Sequence, residues 1–117
     1  MTIEHVLAVV AVSDLPASRD WYSSLFGRQP DNDPMSTLTE WQVLPNAWLQ
    51  VFQDPDRAGS SLCNLAVGDI AACVAELEGR RLRPEPVVEA TKGVKLSTVS
   101  DPDGNLIRLI GGFRVEY

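Results

Sequence analysis

The chain repeats itself. AVSDL at positions 11–15 returns as AVGDI at 66–70, and LFGRQP at 25–30 is echoed by LEGRRL at 77–82. Each copy runs strand, Asp, helix, Gly, and the spacing of about 55 residues marks a supersecondary unit used twice. The expected organisation is one domain over 1–117, built from modules 1–58 and 59–117.

Local chemistry fills in each module. IEHVLAVVAV (3–12) is almost continuously apolar and β-branched, which predicts a strand covered on both faces. Asp14 is placed to cap the following helix, and Pro16 is tolerated in a first turn whose amides lack intrahelical partners. Trp21, Tyr22, Leu25 and Phe26 form the apolar stripe of that helix, and Gly27 ends it. In the second copy LCNLAV (62–67) is the opening strand and Asp69 the cap. Ile70, Cys73, Val74 and Leu77 make the second stripe, and Gly79 is the expected stop. STLTEWQVL (36–44) and AWLQVF (47–52) flank a Pro-Asn turn, while 85–91, 94–100 and 105–111 are strands joined by KG and DPDG. Asp-Pro-Asp-Gly is a strong turn signal, since Pro presets φ and Gly accepts a positive one. The fold class is therefore α+β, with two βαβββ modules.

Composition removes several function classes. A net charge of −6 argues against nucleic-acid binding, which calls for a basic face. Nothing approaches the roughly 18 apolar residues of a membrane span. The first apolar run of about seven residues has no basic lead, so no signal peptide is expected. Cys63 and Cys73 are read as buried free thiols, which makes a reducing cytoplasm the expected location.

Paired βαβββ modules, VSDLPASRDWYSSLFG near the start and VSDPDGNLIRL near the end together resemble the vicinal oxygen chelate superfamily. That superfamily holds the glyoxalases, extradiol dioxygenases, and fosfomycin- and bleomycin-resistance proteins. The resemblance spans essentially the whole chain and is carried by Asp14, Leu15, Ser18, Tyr22 and Gly27, with Asp-Pro-Asp-Gly-Asn at the end. It implies two sheets curled into cups, completed in short members by pairing two chains, so a homodimer is expected.

The resemblance also implies where a divalent metal would be held. Its three ligand positions fall on His5, Asn64 and Arg108. One ligand survives, and the final carboxylate has become a guanidinium. Catalytic metal sites need three or more convergent neutral imidazoles or carboxylates, and this chain has a single His. A fixed guanidinium beside a divalent ion is repelled, because neither can shed its charge. Neither a metal nor another cofactor is expected, the alternative being an ion held by other carboxylates such as Glu40 or Glu89, or across a dimer.

Strand alternation then sketches a pocket. His5, Asn64 and Arg108 are expected to converge on the inner face, joined by Leu96 and Thr98 from one strand, Trp48 and Gln50 from another, and Trp41 from the strand before. An apolar concavity with a few placed polar groups suits a small molecule. Plainer readings stand beside this one: His5 as a hydrogen-bonded core residue, Asn64 satisfying nearby backbone, both tryptophans as core or dimer interface. Arg108 needs a partner, because an unpaired buried charge costs several kcal/mol; that partner is a carboxylate of the protein or an anionic group of a ligand.

The leading expectation is a metal-independent small-molecule binding protein that sequesters an antibiotic or metabolite. The alternatives are an enzyme without metal, with His5 as general base and Arg108 steadying an oxyanion, a metal-dependent lyase or dioxygenase, and a purely structural dimer.

Overall fold

A computed structural model describes all residues, 1–117. The elements run β1 (Val6–Val12), α1 (Leu15–Phe26), β2 (Asn32–Met35), β3 (Leu38–Leu44), β4 (Ala47–Gln53), β5 (Leu62–Val67), α2 (Ile70–Gly79), β6 (Val88–Glu89), a one-turn 3₁₀ segment (Thr91–Gly93), β7 (Lys95–Ser100) and β8 (Leu106–Gly111). They build two four-stranded sheets with the same topology, β1-β4-β3-β2 and β5-β8-β7-β6. In each, the first and last strands of the module pair in parallel and the rest antiparallel, so both modules are βαβββ.

The repeated Asp residues perform the same task twice. Asp14 accepts a hydrogen bond from the Ala17 amide at 3.2 Å, and Asp69 accepts one from the Ala72 amide at 3.0 Å. Each satisfies an amide that the first helical turn leaves without a partner. Gly27 closes α1 in the left-handed region at φ 69°. The second helix departs from expectation, since Gly79 is its last residue and Arg80 caps it. The Arg80 guanidinium turns instead to α1, donating to the carbonyl of Leu25 at 3.0 Å, which ties the two helices together.

One face of each sheet is covered. Val10, Val12, Leu49, Val51 and Trp41 from the first sheet, Val99, Ile107 and Leu109 from the second, and Leu15, Tyr22, Leu25, Ile70 and Leu77 from the helices form one continuous core. The opposite faces are open. Leu7 and Val9 are exposed, so β1 is covered on one side only over its first half. The strand β2 was not legible as a strand, because Asp-Pro within it carries no β signal. Conversely, the stretch 85–91 shrinks to the two paired residues of β6.

The closing motif locks the modules together. Asp101 accepts from the amides of Asp103 and Asn105, both at 2.9 Å, which defines the Asp-Pro-Asp-Gly turn. Asn105 is fully buried, donating to the Ala11 carbonyl at 2.7 Å and accepting from the amides of Gly59 and Ser61 in the inter-module linker. Ser13 reaches the same turn through the carboxylate of Asp103. Gly59 has φ 95°, and a Cβ there would lie 2.5 Å from the Asp103 carbonyl, so only glycine fits.

Candidate functional site: the open sheet faces

Register places the candidate residues. On the second sheet Asn64 lies beside Arg108 and Arg108 beside Thr98, so these three form one polar row across β5, β8 and β7. Ala66, Ile110 and Leu96 form the next row, and Leu62 and Leu106 the one on the other side. Ile107 and Leu109 alternate to the core. The Arg108 Nε–H donates to Asn64 Oδ1 at 2.9 Å, and this is the side chain's one hydrogen bond. None of the chain's salt bridges involves Arg108.

On the first sheet Leu7 pairs with Trp48 and Val9 with Gln50, which puts these four on the open face with Glu40 and Gln42. Gln50 donates to Glu40 at 2.8 Å and Asn32 donates to its other oxygen at 3.1 Å. His5 precedes β1 and is exposed; its Nδ1 accepts from Trp48 Nε1 at 3.2 Å. That bond requires Nδ1 to be unprotonated, so a neutral His5 carries its proton on Nε2 and presents a donor outward. The free acceptor nitrogen that a general base requires is thus already in use.

Trp41 belongs elsewhere. It is fully buried on the helix side, packing on Phe26 and Tyr22, with its indole N–H donated to the Arg28 carbonyl at 3.1 Å. The alternation of Thr39, Trp41 and Val43 against Glu40 and Gln42 assigns it to the core, and that pattern was readable in the residues themselves. No hydrogen bond links His5 to Asn64 or Arg108. They form two hydrogen-bonded pairs, His5–Trp48 and Asn64–Arg108.

Between the pairs lies a cavity of about 490 Å³ at the junction of the modules. Trp48 and Asn64 are both in its wall, with Val6, Phe26, Arg28 and Cys63 among the remaining lining residues. Sequence reasoning missed Phe26, Arg28 and Cys63, because only the folded register brings the end of α1 beside β5. Burial pushes the Cys63 thiol above its ordinary range, so it stays a neutral apolar lining group.

The residues at the family's metal positions do not fit a divalent ion. The acceptor nitrogen of His5 is engaged by an indole N–H, the Asn64 oxygen by the guanidinium, and the third position is a cation. No group of three His, Cys, Asp or Glu side chains gathers anywhere in the chain.

Comparison with known proteins agrees with this architecture. No protein-family model matches the sequence, and no curated protein matches it significantly. Solved structures do. A glyoxalase/bleomycin resistance protein from Catenulispora acidiphila DSM 44928 shares 31% identity over 92% of this chain and 96% of its own, with a TM-score of 0.85. TnmS3, an antibiotic binding protein from Streptomyces sp. CB03234, shares 26% identity over 95% and 98% of the two chains, with a TM-score of 0.75. A lactoylglutathione lyase from Agrobacterium tumefaciens shares the fold at a TM-score of 0.75 and 17% identity, covering 92% of each chain. The chain belongs to the glyoxalase/bleomycin resistance protein family, within the vicinal oxygen chelate superfamily. No helix is long and apolar enough to cross a membrane.

Proposed function

We propose that this protein binds a small organic molecule without a metal, at the open sheet faces and the adjoining cavity, and sequesters it rather than transforming it. The observation that carries this reading is the Asn64–Arg108 pair: two of the three family metal positions are spent on each other, among apolar rows. The likeness to an antibiotic binding protein supports the same direction. An enzyme working through His5 lacks support, since the Trp48 indole occupies the nitrogen a base would use.

A second copy of the chain is the proposed cover for the rest of these faces, making the working form a homodimer. Val6, Leu7, Val9, Leu62 and Leu106 are all exposed large apolar side chains on or beside the open faces. Large apolar side chains exposed on these faces are what association between copies would cover. Metal analysis of purified protein after dialysis tests the central claim. Less than a tenth of an equivalent of nickel, zinc, iron or manganese per chain is the expected result, on the order expected for surface contamination. Stoichiometric retained metal, lost together with ligand affinity on chelation, overturns it.

A further inference from the structure

We propose that Arg108 anchors an anionic oxygen group of the bound molecule, so that this site selects amphipathic acids: an apolar, preferably aromatic body carrying a carboxylate or phosphate. This rests on the small-molecule reading above and adds the charge of the ligand to it.

The placement of Arg108 is the basis. It sits on β8 between β5 and β7, two strands that carry no acidic residue, and β8 carries none either. Its lateral neighbours on the open face are Asn64 and Thr98, and the rows before and after are apolar apart from Ser100 at one edge. The side chain is partly buried, so its charge is incompletely hydrated. No carboxylate lies within salt-bridge distance of it. A guanidinium so placed lacks the compensation that partly buried cations ordinarily have.

Asn64 does more than occupy space here. By accepting from Nε, its oxygen fixes the plane of the guanidinium and leaves the edge formed by Nη1 and Nη2 without a protein partner. That edge is the bidentate face that matches a carboxylate or phosphate. Within this chain the strand carboxylates do not serve it. Of the acidic residues in the strands, Asp33 pairs with Arg19, Glu40 already accepts from Gln50 and Asn32, and Glu89 lies on the short, exposed edge strand β6. The position where the superfamily resemblance implies a metal-binding carboxylate thus carries a cation, and it draws oxygen anions directly.

Calorimetric titration of the full chain with 1-naphthoate, indole-3-acetate and biphenyl-4-carboxylate, each against its primary amide, tests this, with 1-naphthyl phosphate as the phosphate arm. The acids should bind at least about tenfold tighter than their amides, as expected for a charge-assisted pair in partly apolar surroundings. Arg108→Gln should remove that preference, weakening the acids far more than the amides, while Arg108→Lys retains part of it. Raising salt from about 0.05 to about 0.5 M should weaken the acids alone. The carboxylate and phosphate arms show which anion the edge prefers. Amides that bind as tightly as acids, or an acid preference that survives in Arg108→Gln, overturn the inference and leave the small-molecule reading standing. An Arg108→Gln variant that becomes monomeric with its acid preference unchanged also overturns it, assigning the guanidinium to a partner's carboxylate. If neither acids nor amides bind, the small-molecule reading fails and this inference with it.

Discussion

The Tyr22 hydroxyl donates to Asp101 Oδ2 at 2.8 Å, joining the first helix to the closing turn across 79 positions of sequence. Asn105 donates to the same carboxylate oxygen at 2.8 Å and to the Ala11 carbonyl, so a single buried network connects α1, β1, the linker and β8. Each motif that identifies the family at the two ends of the chain is thus half of one structural joint. Tyr22→Phe removes one donor from an acceptor that keeps another, and should cost about 1–2 kcal/mol. Asn105→Ala strands two amides, a carbonyl and part of a carboxylate, and should cost on the order of 3–4 kcal/mol. Urea unfolding of the two variants checks the order; equal costs would show that the network does not act through Asn105.

The same joint sets a response to alkali. Burial, followed by the Asp101 charge, holds the Tyr22 phenol well above its usual range. A folded-state value above the unfolded one means that the native state keeps the proton more tightly. Its contribution is therefore fully present below the unfolded value of about 10 and declines steadily as pH rises past it. Stability measured between about pH 8 and 11 should fall more steeply for the wild type than for Tyr22→Phe. Parallel curves would exclude Tyr22 as the alkaline-sensitive group.

The two tryptophans of the first sheet separate packing from binding. Trp41→Ala empties a fully buried site bounded by Phe26 and Tyr22, and should destabilise the fold by about 3–5 kcal/mol. Trp48→Ala removes a half-exposed indole from the cavity wall and releases His5 Nδ1, at a cost of about 1 kcal/mol or less. The binding reading expects Trp48→Ala to weaken ligand uptake severalfold without a matching loss in melting temperature. A Trp48→Ala variant as unstable as Trp41→Ala would make Trp48 structural.

These contrasts show what the residues alone could carry. Repetition, the Asp caps, the glycine after α1 and the Asp-Pro-Asp-Gly turn are local signals, and both modules follow from them. Period-two alternation put Asn64, Thr98, Leu96 and Arg108 on one face, because strands keep that period whatever they pair with. Applied to 38–44 it also assigns Trp41 to the core, the plainer of its two readings, and not to the pocket. Distances between sheets are another matter. That His5 reaches Trp48 rather than Arg108, and that Cys63 meets Phe26 and Arg28 across a cavity, depends on how two modules dock, which no local pattern encodes. The strand β2 was illegible for the opposite reason, since side-chain ion pairs support its sparse ladder and its residues carry no strand propensity.

The open faces give an oligomerisation test. Val9 is 53% exposed and Leu62 is 51% exposed, although both sit in the middle or at the start of regular strands. Light scattering at micromolar concentration should report twice the mass of the chain. Val9→Lys and Leu62→Lys, which point a charge outward from an otherwise unchanged sheet, should shift the protein to monomer while far-ultraviolet dichroism stays the same. A wild-type monomer would leave the apolar faces without the proposed cover.

Acid should act first on β2. The Arg19 hydrogen bond, followed by that of Thr39, holds the Asp33 carboxyl below its usual range; Arg28 and the Gln42 amide do the same for Asp31. Carboxylates depressed in the folded state contribute stability that is present above the unfolded value of about 3.9 and lost as pH falls through the lower folded values. Both groups are largely solvated, so the effect on global stability is small and the local one is the measurable quantity. Only two residue pairs link β2 to β3, Asn32 with Glu40 and Met35 with Leu38, which leaves the strand dependent on Arg19 and Arg28 for its place against α1. Hydrogen exchange should therefore show β2 opening below about pH 4 while β3 and β4 remain protected. Arg19→Ala should bring the Asp33 titration back toward the ordinary carboxylate range and open β2 at neutral pH as well. If β2 stays as protected as β3 in that variant, the backbone ladder rather than the ion pair holds the edge of the sheet.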